Sequence, residues 1–261
     1  MASSLSRLLG IACALTLLAG CAVLGQDRAA EPEPEAAPQQ EVPLILGTGT
    51  FDPGGVTQAQ PSGTEVGRRV AQLRSDLGRL QNRVRAENGQ LQNLRREARS
   101  SAGAYHNLKA QMNARLQVGT TPGNPRLVAQ WNQAQGELSR VDRSINQMNS
   151  LSNEASSTAS LAGFLLEAAR ATYGLSGAVD EDHEQLAVLE DEANQTAVVI
   201  DRLLGELTQD ITRQTAYLGT ERANLNAMSI AIGNGEYIGP SLRNLIYGNP
   251  APAPAGGAAS L

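Results

Sequence analysis

The sequence predicts an all-α protein, an elongated antiparallel three-helix coiled-coil bundle with a disordered N-terminal linker and C-terminal tail. Three stretches repeat apolar residues at alternating spacings of four and three, far past the three or four heptads that mark a coiled coil. Short Gly/Pro clusters separate those stretches. Aromatic residues make up only 3% of the chain, a composition suited to long helices more than to a compact mixed fold.

The first helix is expected over residues 65–117. Its seam runs Val66, Val70, Leu73, Leu77, Leu80 and Val84, and the frame continues through Glu87, Leu91, Leu94, Ala98, Ser101, Tyr105, Leu108 and Met112. A sustained 3.5-residue period imposes a left-handed supercoil. The arginines, glutamines, asparagines and aspartates between seam positions suit solvated faces. Gly119-Thr120-Thr121-Pro122-Gly123 ends the helix through free φ and a missing N–H.

Asn124-Pro125 reads as a restart, with Asn at the N-cap and Pro at the first helical position. The second helix is expected over 125–173, along Leu127, Trp131, Ala134, Leu138, Val141, Ile145, Met148, Ser152, Ala155, Ala159, Ala162, Leu166, Ala169 and Tyr173. That length corresponds to about 75 Å. Trp131 is expected to plug the distal end. Gly174 is the expected C′ residue and Ser176 the expected N-cap of a third helix over 177–233. Asp180, Glu181 and Asp182 place negative charge in its first turn, where the helix dipole favours it. Its seam passes through Val179, His183, Leu186, Glu190, Ala193, Ala197, Ile200, Leu204, Leu207, Ile211, Gln214, Leu218, Glu221, Leu225, Met228 and Ile232. Leu189, Val199 and Leu203 widen the stripe, as two neighbours require. Short loops make antiparallel neighbours, so the bundle runs up-down-up within one chain, with pairing between copies as the alternative.

Residues 21–64 read as a linker. Glu31-Pro32-Glu33-Pro34-Glu35 favours extended backbone. Val42-Pro43-Leu44-Ile45-Leu46 is its one apolar patch, expected to be transiently ordered, with docking on the body or a partner as the alternative. Gly47, Gly49, Pro53, Gly54, Gly55, Pro61 and Gly63 disfavour helix and strand there. Residues 236–261 read as a flexible tail with a short apolar piece at Ile238, Leu242 and Tyr247.

Little in the body points to chemistry. The net charge of −5 and the lack of a basic patch with interleaved aromatics argue against nucleic acid. Glu87, His183, Glu190 and Glu221 are ionisable seam residues, read as register-setting polar positions in preference to a proton-active site. His106 and His183 fall on different helices, too far apart to share a zinc ion. Ser150 to Ser160 contains no Gly-x-Ser-x-Gly elbow. Lys109, the only lysine, is read as codon bias. Ala155, Ala159 and Ala162 would face Ala193 and Ala197 in a narrow waist, a candidate hinge or partner-docking site against the plainer reading of a tapering core. No cofactor or metal is expected, and no enzymatic activity.

Arg7, an apolar run of about 12 residues from Leu8 to Ala19, and small residues have the layout of an export signal, too short to span a bilayer. Leu18-Ala19-Gly20-Cys21 resembles the lipobox of bacterial lipoproteins. That resemblance implies cleavage between Gly20 and Cys21, a thioether-linked diacylglyceryl group on Cys21, and acylation of the new amino terminus. Residues 1–20 would then leave as a signal peptide, taking Cys13 and leaving no possible disulfide. Two or three acyl chains anchor durably. Ala22, in place of Asp, is similar to lipoproteins sorted to the outer membrane. With the lipobox and the seams together, the chain resembles the outer-membrane lipoproteins of Gram-negative bacteria that carry a periplasmic coiled-coil body. From about Gly67 to Asn244 it looks like an uncharacterised alphaproteobacterial envelope family, including Val118 to Pro125 and Tyr173 to His183. Some members of that family carry a further C-terminal domain, where this chain is expected to end in a Pro/Ala tail, so no peptidoglycan-binding domain carries over. The resemblance implies a membrane partner through lipid, an envelope protein partner and a possible homo-oligomer. The expected role is spacer, scaffold or assembly partner. The alternative is an adaptor that activates a cell-wall enzyme or transport complex by docking at the alanine waist or at Ile238 to Tyr247.

Overall fold

A computed structural model describes residues 43–237. Among the described residues there are three α-helices and no strand: α1 (Glu65–Val118), α2 (Pro125–Tyr173) and α3 (Asp180–Asn234). The helices span about 75–80 Å each at 1.5 Å per residue. None of them is long and apolar enough to cross a membrane.

The caps explain the boundaries. Thr64 caps α1 by accepting from the Gly67 N–H at 2.7 Å. Asn124 caps α2 by accepting from the Arg126 N–H at 3.0 Å, with Pro125 in the first turn, as the sequence predicts. The start of α3 differs from expectation. Its N-cap is Val179, not Ser176, and the Asp182 carboxylate accepts from the Val179 N–H at 3.1 Å. Gly174 follows α2 in right-handed conformation, so it is no left-handed C′ residue, and Gly177 takes the positive φ of this loop instead. Gly235 ends α3 at φ +82°, a conformation that strongly favours glycine. There the Thr120 N–H donates to Gly235 O at 2.7 Å and the Gly123 N–H to Ile232 O at 2.9 Å, tying the α1–α2 loop to the end of α3.

Hydrogen bonds between helices fix the topology. Thr158 to Glu87 and Gln130 to Gln111 run antiparallel between α1 and α2. Ser144 to Gln214 and Trp131 to Leu225 do the same between α2 and α3. Gln81 to Thr196 and Arg95 to Asp210 are each 115 residues apart, so α1 and α3 are parallel and in constant register. This is the up-down-up bundle that the heptads predict.

The core follows the seams with a shift on each helix; on α3, Leu189, Thr196 and Leu203 are buried in place of Glu190, Ala197 and Leu204. On α2 the Ala134, Val141, Met148, Ala155, Ala162 and Ala169 column is buried throughout, whereas the companion column becomes Leu151, Leu165 and Thr172 in place of Ser152, Leu166 and Tyr173. The buried pair on α2 thus changes from the column residue with its i+4 neighbour, as in Ala134–Leu138 and Val141–Ile145, to the column residue with its i+3 neighbour, as in Met148–Leu151 and Ala162–Leu165. On α1 an extra column is buried at seven-residue steps, Gln81, Asn88, Arg95, Ala102, Lys109 and Leu116, and Gly67 is buried on the same column beyond a half-buried Arg74. Gln81 and Arg95, expected on a solvated face, therefore lie inside, as does Lys109. Trp131 packs half-buried on the distal cluster, its indole N–H donating to Leu225 O at 2.8 Å.

Residues 43–62 form no helix or strand, as expected, but they are a docked strap rather than a free linker. Leu46, Phe51 and Pro53 are buried against the helices, and Leu44 packs on the distal cluster. The docking alternative for the apolar patch therefore holds for Leu44 and Leu46.

Candidate functional site

The strap occupies the groove between α1 and α3. It passes Arg99, about two-thirds of the way along α1, and runs against the direction of both helices to Ser62 at their first turns. From mid-bundle downward, Leu46 and Gly47 lie at Arg99, Gly49 at Gln92 and Arg95, Gly55 at Gln81, Gln60 at Gln185 and Ser62 at Asp182.

The groove reads the strap mainly through its backbone. Arg99 donates to Gly47 O at 2.8 Å, Gln92 and Arg95 to Gly49 O at 2.8 and 2.9 Å, and Gln81 to Gly55 O at 2.9 Å. In return the Gly47 N–H donates to Asp210 Oδ1 at 2.9 Å. Gly47 sits so close that a Cβ there would strike the Arg95 guanidinium and Glu206. Phe51 and Leu46 supply apolar anchors, each worth about 1.5–3 kcal/mol on burial.

At the centre lies an ion pair with both side chains fully buried, Arg95 and Asp210, at Nε–Oδ2 2.6 Å. Arg95 Nη2 donates to Glu206 at 2.6 Å, and Arg213 donates to Asp210 Oδ1 at 2.6 Å. Burial alone would push the Asp210 carboxyl up. The Gly47 N–H, Arg213 and Arg95 outweigh it and hold the group below the ordinary aspartate range. Polar rungs join α1 to α3 at two-heptad steps along α1: Gln81 with Thr196, Arg95 with Asp210, and Lys109 with Glu221. In the last, Glu221 Oε2 accepts from Tyr105 at 2.8 Å, Lys109 at 3.0 Å and Asn224 at 3.1 Å. Burial raises the Glu221 pKa, but those three donors outweigh it and lower the net value. The only lysine thus has a structural partner, which a codon-bias reading does not anticipate.

The other ionisable seam residues scatter. Glu87 is buried between α1 and α2, accepting from Thr158 at 2.6 Å, with Arg83 at 3.5 Å. Burial outweighs these contacts and raises its pKa. Glu190 accepts from Arg170 at the bundle surface, and His183 stacks on Tyr173. His106 meets the Tyr217 hydroxyl at 3.1 Å, about 57 Å along the bundle from His183 by helical rise. No cluster of three metal-ligating side chains is present among the described residues.

The alanine waist faces inward. Ala155, Ala162 and Ala193 are fully buried, and Ala159 and Ala197 pack half-buried on the same core, so none forms an outer docking surface. The apolar residues that do face outward on this stretch of α2 are Phe164 and Leu161, 72% and 45% exposed. They border a cavity of about 490 Å³ between α1 and α2 whose wall includes Arg69, Arg79, Arg83 and Asp76. Gly20, Cys21, Ile238, Leu242 and Tyr247 lie outside the described residues. Tyr237, just before them, docks on α1 through Asn113.

No protein-family model, curated protein or solved structure matches this chain.

Replacing Asp210 by Ala leaves a buried guanidinium short of its partner and should cost about 3–5 kcal/mol in urea unfolding. It should also abolish hydrogen-exchange protection of the Gly47 amide. Arg95→Met with Asp210→Leu should restore most of the stability but not that protection. Glu87 gives a pH signature. Its raised folded-state pKa means the carboxylate penalises folding above that pKa, and the penalty disappears as pH falls below the unfolded value. Glu87→Gln should therefore raise stability at pH 7 and make no difference at pH 3, measured by thermal unfolding across pH.

Proposed function

We propose that this chain is a non-enzymatic, lipid-anchored lipoprotein on the periplasmic face of the outer membrane, acting as a spacer, scaffold or assembly partner. The observation that carries the reading is Leu18-Ala19-Gly20-Cys21 at the end of a short apolar run, ahead of a body made of three long helices. The docked strap refines the tether. Residues 22–42, rather than 22–63, separate the acylated cysteine from the first strap residues. At about 3.3–3.6 Å per residue the 21 residues reach at most about 70–75 Å. The strap they lead into meets the body about two-thirds of the way along α1, not at its tip, so a tether through it holds the bundle from its flank.

The adaptor reading has one observation in its favour, the exposed Phe164 and Leu161 beside the arginine-lined cavity. The fitting occupant is a partner helix with an apolar stripe and acidic flanks, entering as an amphipathic helix enters a groove.

Palmitate labelling of cells should mark the wild-type chain, and Cys21→Ser should lose both the label and membrane fractionation. A variant that keeps the label would sink the anchor. Capture from detergent-solubilised membranes should separate scaffold from adaptor. Phe164→Ala, which removes an exposed ring and so leaves stability within about 0.5 kcal/mol, should lose the captured envelope protein only under the adaptor reading.

A further inference from the structure

The strap is bound to its groove largely by main-chain contacts, and those contacts do not depend on which chain supplies it. The link between strap and α1 is a single reversal at Ser62-Gly63-Thr64. Gly63 is exposed at φ +79°, and a Cβ there would meet nothing. The closed reversal is held at Asp182, whose carboxylate accepts from the Ser62 and Thr64 hydroxyls. Gly67 makes room for this, since a Cβ there would strike Ser62 and crowd Asp182.

Straightening that reversal sends the strap out past the first turns of α1 and α3, along the bundle axis. A second copy placed end to end about a two-fold axis presents its own groove there. Polarity is preserved. Ser62 still arrives at an Asp182, and Gly47 still arrives at an Arg95 and Asp210 midway up a helix pair. Every strap contact seen within the chain is reproduced between chains, and only the hinge changes. Short hinges between exchangeable elements are the usual route to such reciprocal dimers.

We propose that the α1/α3 groove is an exchange surface for a second copy of this chain, each copy seating its residues 46–62 in the other. The equilibrium is set by hinge conformation and protein concentration. The proposal concerns the described residues alone and stands whether or not Cys21 is acylated.

The test uses the full chain with Cys13→Ser and Cys21→Ser, in two pools. One carries Thr57→Cys and the other Glu192→Cys, the Thr57 N–H lying 2.8 Å from Glu192 Oε1. After mixing at high concentration, a short bis-maleimide should give a cross-chain product of twice the chain mass. Gly63→Pro in both pools should raise that product about tenfold, because proline cannot adopt the positive φ of the closed reversal. Light scattering should show the matching dimer. A chain carrying both cysteines that links only within itself, with no cross-chain product from either hinge, would overturn the proposal. Should Gly63→Pro lose its helical signal, the mixed pools with the native hinge decide alone: product supports exchange and its absence refutes it.

Discussion

The buried Arg95–Asp210 pair is the interaction on which the interior of this bundle turns. Removing two charges from water costs several kcal/mol each, and their mutual attraction offsets this only when every remaining donor and acceptor is satisfied. Two helices alone do not satisfy them here. The Gly49 carbonyl takes one guanidinium N–H, and the Gly47 N–H supplies one of the bonds to the carboxylate. Strap and ion pair are therefore mutually dependent: the pair gives the strap a polar anchor, and the strap completes the pair's shell.

The same logic explains why α1 and α3 are joined by polar rungs. Apolar seams hold each of them to α2, where the leucines and alanines mesh. Apolar packing tolerates a slip of one heptad, because most heptads look alike. A rung of Gln81 on Thr196 or Lys109 on Glu221 does not, because a slip leaves a buried donor or charge without its partner. Repetition at two-heptad steps makes any shorter slip costly at several rungs together. The polar column thus sets register, at the expense of desolvation, while the apolar columns supply the burial.

Folding the strap back also changes what a lipid tether would do. A linker attached at the tip of a rod lets it swing about its end. One attached at the flank, with nearly its last half seated in a groove, restricts the body and hides the groove between α1 and α3. The α1/α2 cavity around Phe164, on a different pair of helices, stays uncovered.

The sequence by itself determined the three helices, their order, the Asn124-Pro125 restart and the glycine end at Gly119, because heptad spacing and cap chemistry are local. It determined most of the core for the same reason, with Leu77, Leu91 and Leu207 buried as their spacing requires. Only the tertiary structure decided the inner faces. Arg95, Gln81 and Asp210 look solvated when a helix is read alone, since a polar residue is buried only where another element answers it. A trace was legible: Gln81, Arg95 and Lys109 recur every fourteen residues on α1, and Asp182, Thr196, Asp210 and Asn224 recur every fourteen on α3. The strap left less. Gly47-Thr48-Gly49 and Phe51 carry no helical or strand period, and their backbone bonds go to side chains more than a hundred residues away as well as to nearby α1. No local pattern encodes a partner that distant, so its place emerges only when the helices are assembled.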